Sequence, residues 1–343
     1  VLHQGTVYTA TAPAVDALTG WIAPGSGNTG VAVCMFLFDL ILAIRGRLRH
    51  APPGSPVATC GEAVRRAVPR LSALRTDEDA LLQAWAVHLL SWMPTPVEGF
   101  AAGELDRLAS LGHPLLCVTS ALAVSIDPAL EASLLSILQG WLEDGGDRAT
   151  AAAMVWAELR GHPQKPERIP DEVYELLLTV AAGPRWEHWD AAPTQQHGFC
   201  GDLARHLLVC GYSRAERSLP AMLDLIESAT DHEVPHIATH AVKLMYHAAP
   251  YPGAPTLEDL APLQKGTLAR LARTERVWIR PVEVATSLSQ LDLPLDASAL
   301  LRFLGHAPLD SVPAIRVTAV KDGVVTLDSQ LSPAEIVSKF DGG

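Results

Sequence analysis

Apolar residues recur at three- and four-residue steps along nearly the whole chain, the spacing of helices with one buried face. Pro and Gly clusters cut that pattern into blocks. The pattern predicts helices over 7–22 and 31–49, with Pro24-Gly25-Ser26-Gly27-Asn28 between them. From there the blocks fall into pairs: 59–74 with 78–92, 98–110 with 114–125, and 129–143 with 149–160. Further pairs are 170–182 with 201–210, 214–229 with 235–248, and 257–273 with 277–291; a short helix over 297–304 follows. First helices begin at intervals of roughly 30 to 45 residues, the range of two-helix HEAT or armadillo repeats. No strand pattern alternates with the helices, which excludes a parallel α/β sheet. The expected fold is all-α, a right-handed HEAT/armadillo-like α-solenoid of helix pairs over residues 1–309.

The tail departs from this pattern. Alternating β-branched residues over 315–320 and 324–327 flank Lys321-Asp322-Gly323, a hairpin signal. Ser332-Pro333-Ala334-Glu335 then reads as a capping box opening a short helix. Residues 310–343 are thus expected to be a small hairpin-and-helix cap, which would shield the last apolar repeat face from water.

Two segments carry a resemblance. His3-Gln4-Gly5-Thr6-Val7-Tyr8 followed by Ala10-Thr11-Ala12-Pro13-Ala14-Val15 resembles the opening of HEAT-repeat proteins of high-GC actinobacteria. Leu271-Ala272-Arg273, Trp278, Leu288, Leu293-Pro294 and Leu300-Leu301 are similar to the last repeats of the same proteins. The resemblance spans residues 1 to about 305 and implies a fold, with no shared activity attached. The loop 183–200 and the tail after Asp310 depart from it.

Composition narrows the class. Of 343 residues, 48% are hydrophobic, which makes the chain globular, and the formal net charge of −12 gives no overall electrostatic grip on a phosphate backbone. Arg45, Arg47 and Arg49, and Arg65, Arg66 and Arg70, read as solvated helix faces. The run 31–44 is apolar but shorter than the roughly 20 residues of a membrane span, and it contains Asp39, so it reads as a buried helix. Five cysteines without a Cys-x-x-Cys pair read as free thiols in a reducing cytoplasm, and no secretory leader pattern is visible. The chain opens on Val1 rather than Met, which implies trimming or a preceding segment.

The chemistry concentrates in two places. His232-Glu233-x-x-His236 has the spacing of a zinc-protease helix, but Pro235 lies inside it. Proline is tolerated only in the first helical turn, which pushes His232 and Glu233 into the preceding connection. No metal site and no cofactor is therefore expected. What survives is His236, His240 and His247 on one helix face, at i, i+4 and i+11.

The second place is the insertion 183–202, with Trp186, His188, Trp189, Asp190, His197, Cys200 and Asp202. A long loop between short-connected helices is often functional. Candidate acid–base groups are His197, His206, His236, His240, Asp190 and Asp202. Candidate ligand contacts are Trp186, His188, Trp189, His236, His240, His247, Trp156 and His88. Each also has a structural reading, as packing residues of a core edge or a loop.

Two functions remain open. One is a non-catalytic scaffold holding a protein or peptide in the groove of the repeat array. The other is an enzyme of specialised metabolism, using His and Asp groups on a small organic ligand under the Trp/His loop. A DNA glycosylase on a HEAT-like fold is disfavoured by the negative charge.

Overall fold

The computed structural model describes residues 2–3, 6–195, 197–250, 253–307, 315–321 and 324–329. These are overwhelmingly helical and divide into two compact units. Unit 1 comprises Val1–Val155 with His188–Gln195, and unit 2 comprises Trp156–Glu187 with Gln196–Gly343.

Unit 1 opens with a two-stranded antiparallel pair, β1 (Leu2–His3) and β2 (Thr6–Val7). Its helices are α1 (Thr11–Thr19), α2 (Gly27–Leu48), α3 (Pro56–Ala73), α4 (Ala80–Trp92), α5 (Phe100–Leu108), α6 (Pro114–Val124) and α7 (Glu131–Asp144). The next helix, α8 (Gly146–Arg160), crosses into unit 2. Helix ends follow local chemistry. Ser55 caps α3, its hydroxyl accepting from the Ala58 N–H at 3.3 Å with Pro56 at the first position. Asp79 caps α4 through the Leu81 and Leu82 N–H groups. Alternate helices pack together: α2 on α4 on α6, α1 on α3, and α5 on α7.

The first helix is shorter than its apolar pattern. The Thr11 side chain accepts from the Tyr8 N–H at 3.0 Å, and this turn stops the helix from extending back to Val7, which is in a strand. α2, by contrast, starts four residues earlier than the apolar run and reaches 22 residues. By length and composition it is apolar enough to cross a membrane. Its inner face, Val33, Cys34, Leu37, Leu40, Ile41 and Ile44, is buried in the core of unit 1.

Unit 2 contains α9 (Asp171–Ala182), α11 (Gly198–Val209), α12 (Ala215–Ser228), α13 (Val234–Ala248), α14 (Pro262–Arg273), α15 (Val282–Ser289) and α16 (Ala297–Phe303). The insertion holds the four-residue α10 (Glu187–Asp190), which periodicity cannot detect at that length. First helices stack on first helices, α9 on α12 on α14, and second on second, α11 on α13 on α15. The polar contacts repeat with this stacking. Pairs such as Arg217–Glu175, Arg214–Asp171, Tyr174–Ser218, Arg276–Asp231, Arg270–Asp224 and Arg185–Glu233 join residues 42 to 48 positions apart. Each therefore links a helix pair to the next one in sequence.

The tail strands β3 (Ile315–Lys321) and β4 (Val324–Ser329) pair antiparallel as the alternation predicts, with a register shift between Val317 and Ala319. β3 packs against α15 and buries Val317. Gln4-Gly5, Asp322-Gly323 and the capping box at 332–335 lie outside the described residues. All five cysteines are free and buried; burial pushes the Cys34 and Cys210 thiols up to about 12.

Candidate functional site

Pro235 sets the geometry of α13. With proline in the first turn, the helix begins at Val234, and Thr230 to His232 form the preceding turn. Glu233 occupies the N-cap position and is 1% exposed. Its carboxylate accepts from both Arg185 guanidinium nitrogens at 2.8 and 3.1 Å, from the Cys200 N–H at 2.9 Å and from the Thr230 N–H at 2.6 Å. Burial alone would raise this carboxyl, but the Arg185 bond and the backbone donors outweigh it and hold it below the usual range. Glu233 thus caps the start of α11 and ties the turn that precedes α13. It supplies the acceptor that His197, the N-cap residue of α11, does not provide with its own side chain. Gly198 has φ +73°, and a Cβ there would lie 2.4 Å from the Glu233 carboxylate, so the junction requires glycine.

His232 precedes the helix and meets the His236 ring edge-on at 5.4 Å, with the Arg280 guanidinium 3.5 Å from its Nδ1. A zinc-protease helix needs a free glutamate and two histidines one turn apart on continuous helix. Here Glu233 is committed to capping. Among the described residues no group of three or more His, Cys, Asp or Glu is arranged to hold a metal ion.

The residues that do converge lie on α13 and at the start of α11. The His197 ring stacks on His236 with centroids 4.1 Å apart and planes inclined by 29°, and lies 6.3 Å from the His240 ring. The His236 Nδ1 is 3.2 Å from a Glu283 carboxylate oxygen on α15. Burial lowers the His236 pKa, aided by the charges of His197 and His232 and opposed by Glu283 and Asp202. Burial brings His240 down to about 3, with Lys243, His197 and Arg205 acting in the same direction. Both ring nitrogens of His240 are enclosed and have no hydrogen-bond partner among the described residues. An uncharged imidazole is one donor and one acceptor, and leaving both unmet costs about 1–3 kcal/mol per group.

A second network lies farther along α11. The His206 side chain is fully buried and its Nε2 lies 3.1 Å from a Glu158 oxygen, with Arg205 bonded to the same carboxylate. Burial opposes ionisation of Glu158, but His206 and Arg205 prevail and bring it to about 2. Burial keeps the His206 pKa low against the pull of Glu158. Asp202 is 1% exposed, with its Oδ1 3.8 Å from the Arg205 Nε.

The other sequence candidates are dispersed. His247 stacks on Tyr212 at 4.7 Å, away from the imidazole cluster, because the chain after Gly211 passes that end of α13. Trp156 donates from Nε1 to the Arg168 carbonyl at 3.3 Å. Trp186 is half-buried. In unit 1, Trp189 is 1% exposed, His188 meets His113 at 5.5 Å, and the Asp190 carbonyl accepts from Gln195 at 3.1 Å. His88 is buried beside Phe38 at 4.7 Å and Trp92 at 5.9 Å, and burial lowers it to about 4. Unit 1 also holds a cleft of about 460 Å³ lined by Arg45, Met93, Pro94, Phe100 and Ile126 among others, none of them a sequence candidate. Sequence reasoning missed Glu283 and the Arg185–Glu233 pair. The stacking of one helix pair on the next brings these partners together.

One stability test follows from His240. Replacing it with leucine removes two enclosed, unpartnered polar atoms while keeping the volume, so urea unfolding at pH 7 is expected to show a gain of about 1 kcal/mol. The native pKa lies below the unfolded value of about 6.5. The folded state therefore binds fewer protons, and wild-type stability falls as pH drops from about 6.5 towards 3. His240→Leu should flatten that fall, and a destabilised variant would mean that the ring nitrogens are satisfied. Comparison of the chain with protein-family models, with curated proteins and with solved structures found no match.

Proposed function

We propose that the chain is a helical-repeat binding scaffold of the HEAT type and that it holds a protein or peptide partner at the His197–His236–His240 face of unit 2. The repeat part of this reading is supported by the alternate stacking of first and second helices and by side-chain pairs 42 to 48 residues apart. The binding part rests on one observation, the enclosed His240 ring with two unpartnered nitrogens. A buried donor–acceptor pair without partners calls for an explanation, and a ligand that reaches the ring after a local shift of the side chains covering it is the one this reading adopts. A peptide group offers the matching acceptor and donor on its C=O and N–H. Buried free thiols fit a reducing cytoplasm.

A second reading is favoured by the contact between His236 and Glu283 at 3.2 Å. A carboxylate on Nδ1 orients an imidazole for proton transfer through Nε2. In that reading the same face serves an enzyme acting on a small organic ligand. Peptide arrays probed with labelled wild-type protein and with His236→Ala/His240→Ala test the scaffold reading. The wild type should mark a defined set of sequences that the double variant does not. Equal marking by both proteins would move the site elsewhere, and turnover of a small-molecule panel by the wild type alone would favour the enzyme.

A further inference from the structure

We infer that the outward face of α2 is a self-association surface, pairing antiparallel with α2 of a second copy of this chain. The helix has two faces of the same 3.5-residue period. Residues 30, 33, 37, 40 and 44 are buried in unit 1. On the opposite side Ala32, Met35, Asp39, Leu42, Gly46 and Arg49 are exposed, at alternating steps of three and four. Met35 and Leu42, one heptad apart, are 50% and 49% exposed, two large apolar side chains on an otherwise polar outer face.

Size along this stripe is self-complementary, and Arg45, exposed beside it, supplies the charge opposite to Asp39. Antiparallel pairing in the usual alternating layers puts Asp39 beside Leu42 of the second copy, Met35 over Gly46 and Ala32 against Arg49. A two-fold axis makes each contact reciprocal. The space above Gly46 is open, with no atom within 4 Å of a Cβ placed there, so a facing Met35 can fill it. Asp39 has no hydrogen bond or ion pair among the described residues. The Arg45 side chain lies over the Trp92 ring at 4.8 Å. Helical side chains lean towards the N-terminus, so Arg45 of the second copy reaches back one turn to Asp39. A lipid surface fits less well, because Asp39 sits in the middle of the stripe and the inner face of the helix is already buried.

One helix pair buries less than the roughly 1,600 Å² of a standard interface, so the association is a weak one. Sedimentation velocity of the 343-residue chain should therefore show monomer near 1 µM and dimer near about 100 µM. Met35→Lys and Gly46→Leu should each stay monomeric throughout. Asp39→Arg and Arg45→Asp should each weaken the dimer at least about tenfold, and the two together should regain most of it. All four positions face solvent, so the variants keep wild-type helix content, which circular dichroism reads. A wild type that is monomeric throughout overturns the inference. So does a dimer indifferent to Met35→Lys and Gly46→Leu, or a double charge swap no better than its single changes. Flotation of wild type, but not Met35→Lys, with phosphatidylglycerol vesicles would assign the face to lipid instead and equally overturn it.

Discussion

Glu233→Ala is expected to destabilise the protein by about 3–5 kcal/mol, the cost of removing one partner of a buried, hydrogen-bonded ion pair. The change removes the carboxylate that accepts from Arg185 and from the Cys200 and Thr230 N–H groups. Arg185 is 29% exposed and can turn towards water, so the lower part of that range is the better figure. Glu233→Gln keeps one acceptor oxygen and loses the charge, and should cost about half as much. The carboxyl titrates below its unfolded value, so its contribution is complete above about pH 4.3 and fades as pH falls through the lower folded value. Urea unfolding followed by tryptophan fluorescence at pH 7 and pH 4 measures both effects. Because Glu233 also holds the start of α11, the variant should loosen the His197–His236 stack before the rest of unit 2 melts, visible as faster amide exchange over 197–203.

A loss of similar size is expected in unit 1. Glu104 is completely buried, and its carboxylate accepts from Arg75, from Arg107 at 2.8 and 3.0 Å, and from the Ser120 hydroxyl at 2.8 Å. Arg107 continues the network to the Arg75 carbonyl and to Gln83. Glu104→Ala leaves two guanidinium groups without their common counter-ion and the Ser120 hydroxyl without an acceptor, at a cost of about 4 kcal/mol. Arg75 and Arg107 are each 23% exposed and partly hydrated, so Arg75→Ala should cost only about 1–2 kcal/mol. Equal losses for Glu104→Ala and Arg75→Ala would show that the buried carboxylate is not the dominant member. Denaturant midpoints of the two variants decide this.

These networks mark the limit of the sequence as a guide. Helices were legible because their ends are written locally, in Ser55-Pro56, Asp79 and Pro235, and because each apolar face has its own period. Pro235 was enough to remove the apparent zinc signature, and the buried commitments of Glu233 give the physical reason. The convergence of His236 with His240 followed from helical spacing, whereas the approach of His197 depended on where α11 begins, a position fixed by Glu233 and Gly198. Glu283 and Arg185 were not legible, since no local rule joins residues more than forty positions apart. For Trp189 and His188 the sequence leaves two readings open, a ligand contact in a loop and a packing residue. In the structure Trp189 is enclosed, and the neighbouring Ala192 packs with Ala84, Leu115 and Leu116. Loop position alone says little about burial when large apolar side chains are present.

The central claim is that the imidazole face of α13 and His197 completes its hydrogen bonds with a bound peptide. Isothermal titration of array-selected peptides into wild type and into His236→Ala/His240→Ala tests it most directly. The account predicts a dissociation constant at least about tenfold higher for the double variant, a loss of about 1.4 kcal/mol or more, with wild-type helix content retained. Identical dissociation constants for the two folded proteins would contradict it.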